Sequence, residues 1–218
     1  MTKHFMALAI VSFGLTAAPA LAQLGGRPAE DWIARLERPE RVATLKTSEV
    51  IEKLGLKKGD SVADVGAGAG VFSWPLARAI APATLYAVEV DKAFITHLES
   101  RKKEQGITNV TTVLGAFDDP KLPEPVDLAF FHDVLHHVDH RDAYLKKVAS
   151  YLKPNGRIAI IELDADKPEA SHRDDPKLQV RRPDVQAWME AAGLHKLEEY
   201  QLFEDKWFVV YGKGAQQH

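Results

Sequence analysis

Three glycines, Gly66, Gly68 and Gly70, follow a short apolar run at single-alanine intervals in the stretch VADVGAGAGVF. Glycines at that density after a strand let the backbone turn tightly and approach a ligand at the start of the next helix. Their spacing, G-x-G-x-G, differs from the dinucleotide pattern G-x-G-x-x-G, which needs a glycine where this chain has Val71. A phosphate loop fits less well still, because no Lys or Arg occurs between Lys58 and Arg78 to neutralise a phosphate. Asp64, two residues before the first glycine, would repel a diphosphate but could accept from an ammonium or neighbour a cationic group. Glu89 comes 21 residues after Gly68, at the end of the second β-branched run, where a doubly wound fold places the acid that takes ribose hydroxyls. The ligand these residues ask for has a ribose, little or no phosphate and a cationic end. S-adenosylmethionine meets all three conditions, and its carboxylate would be left for the helix N-terminus.

A second group lies in FFHDVLHHVDHRD, which holds His132, Asp133, His136, His137 and His140. His132, His136 and His140 are four apart, so on one continuous helix they would share a face as metal ligands do. The segment instead reads as a strand end, a loop and a helix start, which puts His132 beside the cofactor and turns His136 and His137 toward the next helix. No metal is expected. Methyl transfer from a sulfonium is an in-line displacement in which the protein chiefly positions the nucleophile, and a base is needed only if the acceptor holds its proton. Asp133, His136 and His137 are the candidates for that base, above the C-terminal ends of the strands where an acceptor would sit. His172 and Arg173, in the long polar loop 164–181, either reach the substrate or belong to a solvated loop.

These residues must be carried by an alternation of short β-branched runs (61–65, 84–90, 110–114, 126–132 and 157–163) with helical stretches (72–80, 92–105 and 141–152). Such alternation implies a parallel sheet with crossover helices. The chain then departs from it: RPDVQAWMEAAG reads as a helix, and HKLEEYQLF with KWFVVYGK reads as a hairpin added to the sheet. Before the sheet, AEDWIARLERPERVATLKTSEVIEKLG reads as one short helix and one longer one starting near Pro39 and stopping at Gly55, a cap over residues 23–56 packed on a main domain of 57–212.

The 218 residues include no cysteine, which removes disulfides, thiolate catalysis and sulfur-based metal sites, and a net charge of -3 offers no basic footprint for nucleic acid. The first 22 residues carry Lys3, an apolar run too short to span a membrane, and Ala20-Leu21-Ala22, the A-x-A form of a signal-peptide cleavage site. Cleavage after Ala22 predicts a periplasmic or secreted protein without a stable membrane span.

From about residue 57 to 210 the chain resembles the class I S-adenosylmethionine-dependent methyltransferases, particularly those that methylate quinone precursors and related small molecules. VADVGAGAGVF looks like their first motif, LYAVEVD like the second, VLGAFDDPKLP like the third, VDLAFFHDVLHHV like the strand-four motif and YLKPNGRIAIIE like the fifth strand. The resemblance implies a Rossmann-like α/β fold, a seven-stranded sheet that is mostly parallel with an antiparallel last strand and helices on both faces. It also implies S-adenosyl-L-methionine as co-substrate, held by Asp64, Gly66, Ala67, Gly68, Gly70, Glu89, Val90 and His132, with Ala116 or Phe117 lining the adenine and Asp118 facing its amino group. Glu89 stands where the family more often has aspartate. The acceptor, a small or lipid-like molecule, and the oligomeric state are left open. A binding module that keeps the pocket without turnover is the alternative reading; a nicotinamide oxidoreductase is disfavoured by Asp64 and the glycine spacing.

Overall fold

The computed structural model describes residues 28–167 and 175–214. The segment read as a signal peptide, and His172 and Arg173, lie outside the described residues. The elements run α1 (Ala29–Leu36), α2 (Pro39–Thr44), α3 (Thr47–Leu54), β1 (Val62–Val65), α4 (Ser73–Ile80), β2 (Leu85–Glu89), α5 (Lys92–Glu104), β3 (Val110–Leu114), β4 (Val126–His132), α6 (Arg141–Ser150), β5 (Leu152–Leu163), α7 (Arg182–Ala191), β6 (His195–Tyr200) and β7 (Lys206–Gly212). The strands form one seven-stranded sheet in the order β3-β2-β1-β4-β5-β7-β6. Neighbours from β3 through β5 are parallel, and β7 pairs antiparallel with both β5 and β6. The α/β architecture expected from the alternation is present, with the terminal hairpin on one edge.

The apolar runs explain the layering. A strand covered on both faces has no polar side, and β1 is buried at all four positions. Ala63 and Val65 point with Phe131, Ile158 and Ile160 into a core closed by Tyr144, Leu145 and Val148 of α6 and by Val185 and Met189 of α7. Val62, Leu85, Leu128 and Phe130 fill the opposite core with Leu76 and Ile80 of α4, Leu98 of α5 and Val50 and Leu54 of α3. β7 alternates between the two, Trp207, Val209 and Tyr211 on one face and Phe208 and Val210 on the other. β6, at the sheet edge, is exposed along most of its length and carries Lys196, Glu198 and Glu199, charges that discourage further strand pairing.

The N-terminal cap differs from its sequence reading. The stretch read as one helix from Pro39 to Leu54 is two, because Lys46 adopts a left-handed conformation at φ 48° between them. One local bond and one distant one accompany the break. Thr44 Oγ1 donates to the Arg41 carbonyl at 2.8 Å, competing with helix continuation, and Lys46 Nζ donates to Leu202 O at 2.8 Å, tying the corner to the β6–β7 connection. α1 is fixed separately: Glu37, just after it, forms an ion pair with Arg101 Nε of α5 at 3.4 Å and meets His97 Nε2 at 3.1 Å. The strand at β5 also starts earlier than expected, at Leu152, pairing with Val126 before a register shift.

β1 pairs with β2 on one side and β4 on the other, so the chain reverses its direction of travel across the sheet there, and the crevice at the C-terminal ends of these strands is where an open α/β sheet binds ligands. Two of the sharp turns separate a backbone need from a packing need. At Gly70, φ is +82° and an added Cβ would lie 2.5 Å from Trp74 Cζ2 and 2.8 Å from Leu98 Cδ2, whereas at Gly55, φ is +59° with nothing within 4 Å. Gly70→Ala is expected to cost about 2 to 4 kcal/mol, combining backbone strain with overpacking, and Gly55→Ala about 1 kcal/mol from strain alone. Urea unfolding of the two variants measures the difference, and equal losses would refute the packing role of Gly70.

Candidate functional site

A cavity opens at the C-terminal ends of β1, β2 and β4. Its floor is the glycine turn, Gly66 to Ala69, with Val71 and Phe72; one side is Val88, Glu89, Val90, Asp91 and Phe94; the other is His132, Asp133, Val134, His137, Val138 and Tyr144. Ala116 and Phe117 close one end, and Trp32, Leu36, Arg41 and Leu45 of the cap cover it.

The turn uses its own amides. Gly66 and Ala67 donate to Val88 O at 2.9 and 3.0 Å, Gly68 donates to Glu89 Oε1 at 2.7 Å, and Gly70 donates to Ala67 O at 2.8 Å. A phosphate cradle needs successive N–H groups converging on the anion, and here four of them point at protein acceptors. Gly66 could carry no side chain, since a Cβ would lie 2.4 Å from Val134 Cγ2. Gly70 does not line the cavity, contrary to its assignment to the cofactor; its freedom is needed under α4, against Trp74 and Leu98.

Glu89 is the centre of the site. One oxygen accepts from Gly68 N–H and the other from Val90 N–H at 3.0 Å, which locks the carboxylate plane; each oxygen keeps a further lone pair for a ligand donor. Burial pushes its pKa up to about 7, against the opposing pull of the two amides and with a smaller contribution from the nearby Asp64 and Asp91 charges. Asp64 is 3% exposed, accepts from Ser73 Oγ at 2.5 Å and is raised by burial to about 6. Two partly desolvated acids in one cavity favour a ligand that brings positive charge and O–H or N–H donors.

The histidine segment is divided by the structure. His132 lies at the end of β4, its ring 4.7 Å from that of Phe72, and burial holds it neutral with a pKa lowered to about 4. Asp133 adopts φ 53° and accepts from Lys206 Nζ on both oxygens, at 2.8 and 2.9 Å. Burial alone would raise the Asp133 carboxyl, but the neighbouring positive charge outweighs it and holds the pKa below the ordinary aspartate value; with His132 neutral, Lys206 supplies that charge. An ion-paired acid with a lowered pKa is a poor proton acceptor, which corrects its reading as a candidate base. His136, unlike Asp133, does not line the cavity. Its Nδ1 meets Glu162 Oε1 at 2.8 Å and its backbone N–H donates to Glu162 Oε2, both groups nearly inaccessible. His137, whose ring lies 4.1 Å from that of His136 at a tilt of 48°, lines the cavity, and of the three candidate bases it remains once Asp133 is ion-paired and His136 is turned to Glu162. Among the described residues no group of three or more His, Asp or Glu is placed to hold a metal ion.

At the far end, the turn closed by reciprocal Ala116 and Asp119 backbone bonds carries Phe117 and Asp118. Phe117 reaches the cavity while half exposed; Asp118 is exposed and does not line it, so its expected approach to an adenine amino group is not seen. The sequence reading passed over the cap residues, Tyr144, Lys206 and Glu162. Only Glu162 carried a local signal: like Asp64, it is an acid closing an apolar strand, in IAIIEL.

Comparison with known proteins agrees with this geometry. A probable cobalt-precorrin-6B C(15)-methyltransferase of Methanosarcina mazei is 37% identical over 84 residues, covering 37% of this chain and 46% of that protein. The ubiquinone/menaquinone biosynthesis C-methyltransferase UbiE of Pseudomonas putida is 28% identical over 119 residues, 51% of this chain and 45% of that protein. The chain thus spans less than half the length of these curated relatives. In fold it is similar to a SAM-dependent methyltransferase from Aquifex aeolicus, with a TM-score of 0.75 at 22% identity over 85% of this chain and 98% of that one. The family described as methyltransferase domain matches residues 56–206, most of the chain, and this protein belongs to that family.

Proposed function

We propose that the protein transfers a methyl group from S-adenosylmethionine to a small or lipid-like acceptor, and that it does so outside the cytosol. The observation that carries the cofactor reading is Glu89, a carboxylate fixed by Gly68 and Val90 N–H groups beside a turn whose amides are otherwise committed. That arrangement suits a vicinal diol, whose two hydroxyls donate to a carboxylate, and offers a phosphate no Lys or Arg from the turn itself. Small-molecule acceptors are supported by the names of the relatives above, and export by the A-x-A pattern before Gln23.

The cofactor, when bound, supplies the electrophilic methyl and leaves as S-adenosylhomocysteine. The chain's own residues do the positioning. Glu89 orients the ribose, Asp64 lies at the cationic end, and the apolar cover of Trp32, Leu36 and Leu45 excludes water from the line of transfer. Where the acceptor keeps its proton, His137 Nδ1 or Nε2 receives it as the new bond to carbon forms. His136, held by Glu162, backs the His137 ring and fixes where it can sit.

Titration calorimetry of the purified chain is expected to show binding of S-adenosylmethionine and S-adenosylhomocysteine and none of NAD. Absence of binding by the first two would refute the cofactor, and binding without S-adenosylhomocysteine release across quinol, phenol and thiol acceptors would leave a binding module. Glu89→Ala should weaken the binding by about 1.5 to 3 kcal/mol, the range for charge-assisted hydrogen bonds. The pH dependence has a definite sign. The diol donates to ionised Glu89, so below about pH 7 binding must first expel a proton, and affinity falls by up to about tenfold per pH unit on acidification. The same raised pKa values mean that the ligand-free protein holds more protons than its unfolded chain between the ordinary carboxylate range and about pH 7, so its stability declines as pH rises through that window. Affinity that is flat from pH 5 to 8 would show that Glu89 does not contact the ligand. Expression of the full chain in a bacterium should yield periplasmic protein beginning at Gln23; recovery of an unprocessed N-terminus from the cytosol would overturn the export reading.

A further inference from the structure

The cavity carries charge in two places. Asp64, Glu89 and Asp91 lie around the glycine turn, while Arg41 approaches from the cap, where it meets Asp133. Arg41 is the one Lys or Arg among the residues described as lining the cavity. Asp133, the acid nearest to it, is already taken: both oxygens accept from Lys206 Nζ, and the Arg41 guanidinium stands 3.9 Å away, beyond hydrogen-bond reach. A further cation, Arg35, acts on Arg41 unfavourably, and His132, which also faces this corner, is uncharged near neutral pH. Of the five guanidinium N–H donors, one is spent on Leu36 O at 3.1 Å. Arg41 and Lys206 therefore share the one Asp133 carboxylate, with Arg35 a further positive charge beside them, and the surplus charge within the cavity belongs to the planar donor fork of Arg41. Burial of that guanidinium is unfavourable, as the lowering of its pKa chiefly by desolvation shows, and a ligand anion would offset it.

A carboxylate is the anion that matches such a fork, through two parallel N–H···O bonds. The proposed cofactor ends in an α-amino acid, a zwitterion whose two charges need opposite partners. Its ammonium suits Asp64. Its carboxylate, which the sequence reading left for the helix N-terminus, would be repelled by Asp64 and Glu89, and the turn amides of Gly66, Ala67, Gly68 and Gly70 on the approach to α4 are bonded within the protein. The cap reaches that turn directly, since Leu36 Cδ1 would lie 3.1 Å from a Cβ on Gly68, and Arg41 is bonded to the carbonyl of that same leucine.

We propose that Arg41 binds the amino-acid carboxylate of S-adenosylmethionine, which makes the N-terminal cap part of the cofactor site. This rests on the cofactor reading above. The test pairs a protein truncation with a ligand truncation, using S-adenosylhomocysteine and 5′-methylthioadenosine, which keeps the adenine and ribose but lacks the amino acid. Arg41→Ala should weaken S-adenosylhomocysteine about 10- to 100-fold, the loss expected of a charge-assisted pair, and should change 5′-methylthioadenosine by less than about twofold. Arg41→Lys, which keeps the charge but loses the fork, should fall between. Unchanged binding of 5′-methylthioadenosine also reports that the variant is folded. Equal losses for both ligands, or no loss for S-adenosylhomocysteine, would overturn the assignment, the second result giving Arg41 to the acceptor instead. A wild-type chain that binds neither ligand would overturn the cofactor reading itself, and this inference with it.

Discussion

Glu89 holds the site together because its carboxylate serves the fold and the ligand at once. By accepting from Gly68 N–H it pins the middle of the glycine turn to the end of β2, and by accepting from Val90 N–H it fixes its own orientation. A side chain at the end of a strand would otherwise lose rotamer freedom only on binding; here that entropy is lost on folding, before the ligand arrives. The consequence is specificity by subtraction. A turn that has committed its amides to Val88 O and Glu89 cannot also gather them round a phosphate, so a backbone shape shared with dinucleotide sites becomes suited to a nucleoside carrying positive charge.

The elements most legible in the sequence are those set by local chemistry. β1, α4, β2 and β4 follow from apolar runs, β-branched residues and glycines whose effects act within a few positions, and strand ends then place Asp64, Glu89 and His132 in one crevice because parallel strands share a C-terminal edge. What was misread depends on contacts far along the chain. The break between α2 and α3 needs Lys46 to find a carbonyl 156 residues away, and the loss of Asp133 as a base needs Lys206, 73 residues on. No window of sequence contains both partners. The histidine cluster illustrates the same limit: spacing alone could not tell that His136 would be absorbed by Glu162 while its neighbour His137 faced the cavity.

The break in the cap has a structural use. An uninterrupted helix from Pro39 to Leu54 would carry Arg41 and Val50 on a single axis, and Val50 is fixed in the core beside α4. With Lys46 left-handed, α3 packs its Val50 and Leu54 against the domain while α2 turns away from that axis, bringing Arg41 and Leu45 to the cavity. The stiff part and the ligand-facing part of the cap are thereby separated by one residue, itself anchored to Leu202. α1 is held independently through Glu37 to His97 and Arg101 of α5, surface pairs that contribute little to stability but fix direction.

This division implies that the cap's ligand-facing helix is the less stable part of the site. α2 has no buried residue of its own, and six residues are too few to persist as an isolated helix. Its position derives from α1 and α3 at either end and from the Arg41 contacts within the cavity. A ligand that meets Arg41 would add its interaction to the element with least intrinsic stability, where local opening is cheapest. Binding and ordering would then be linked at the roof of the cavity, while Glu89 and the glycine turn, locked by their own hydrogen bonds, would change little.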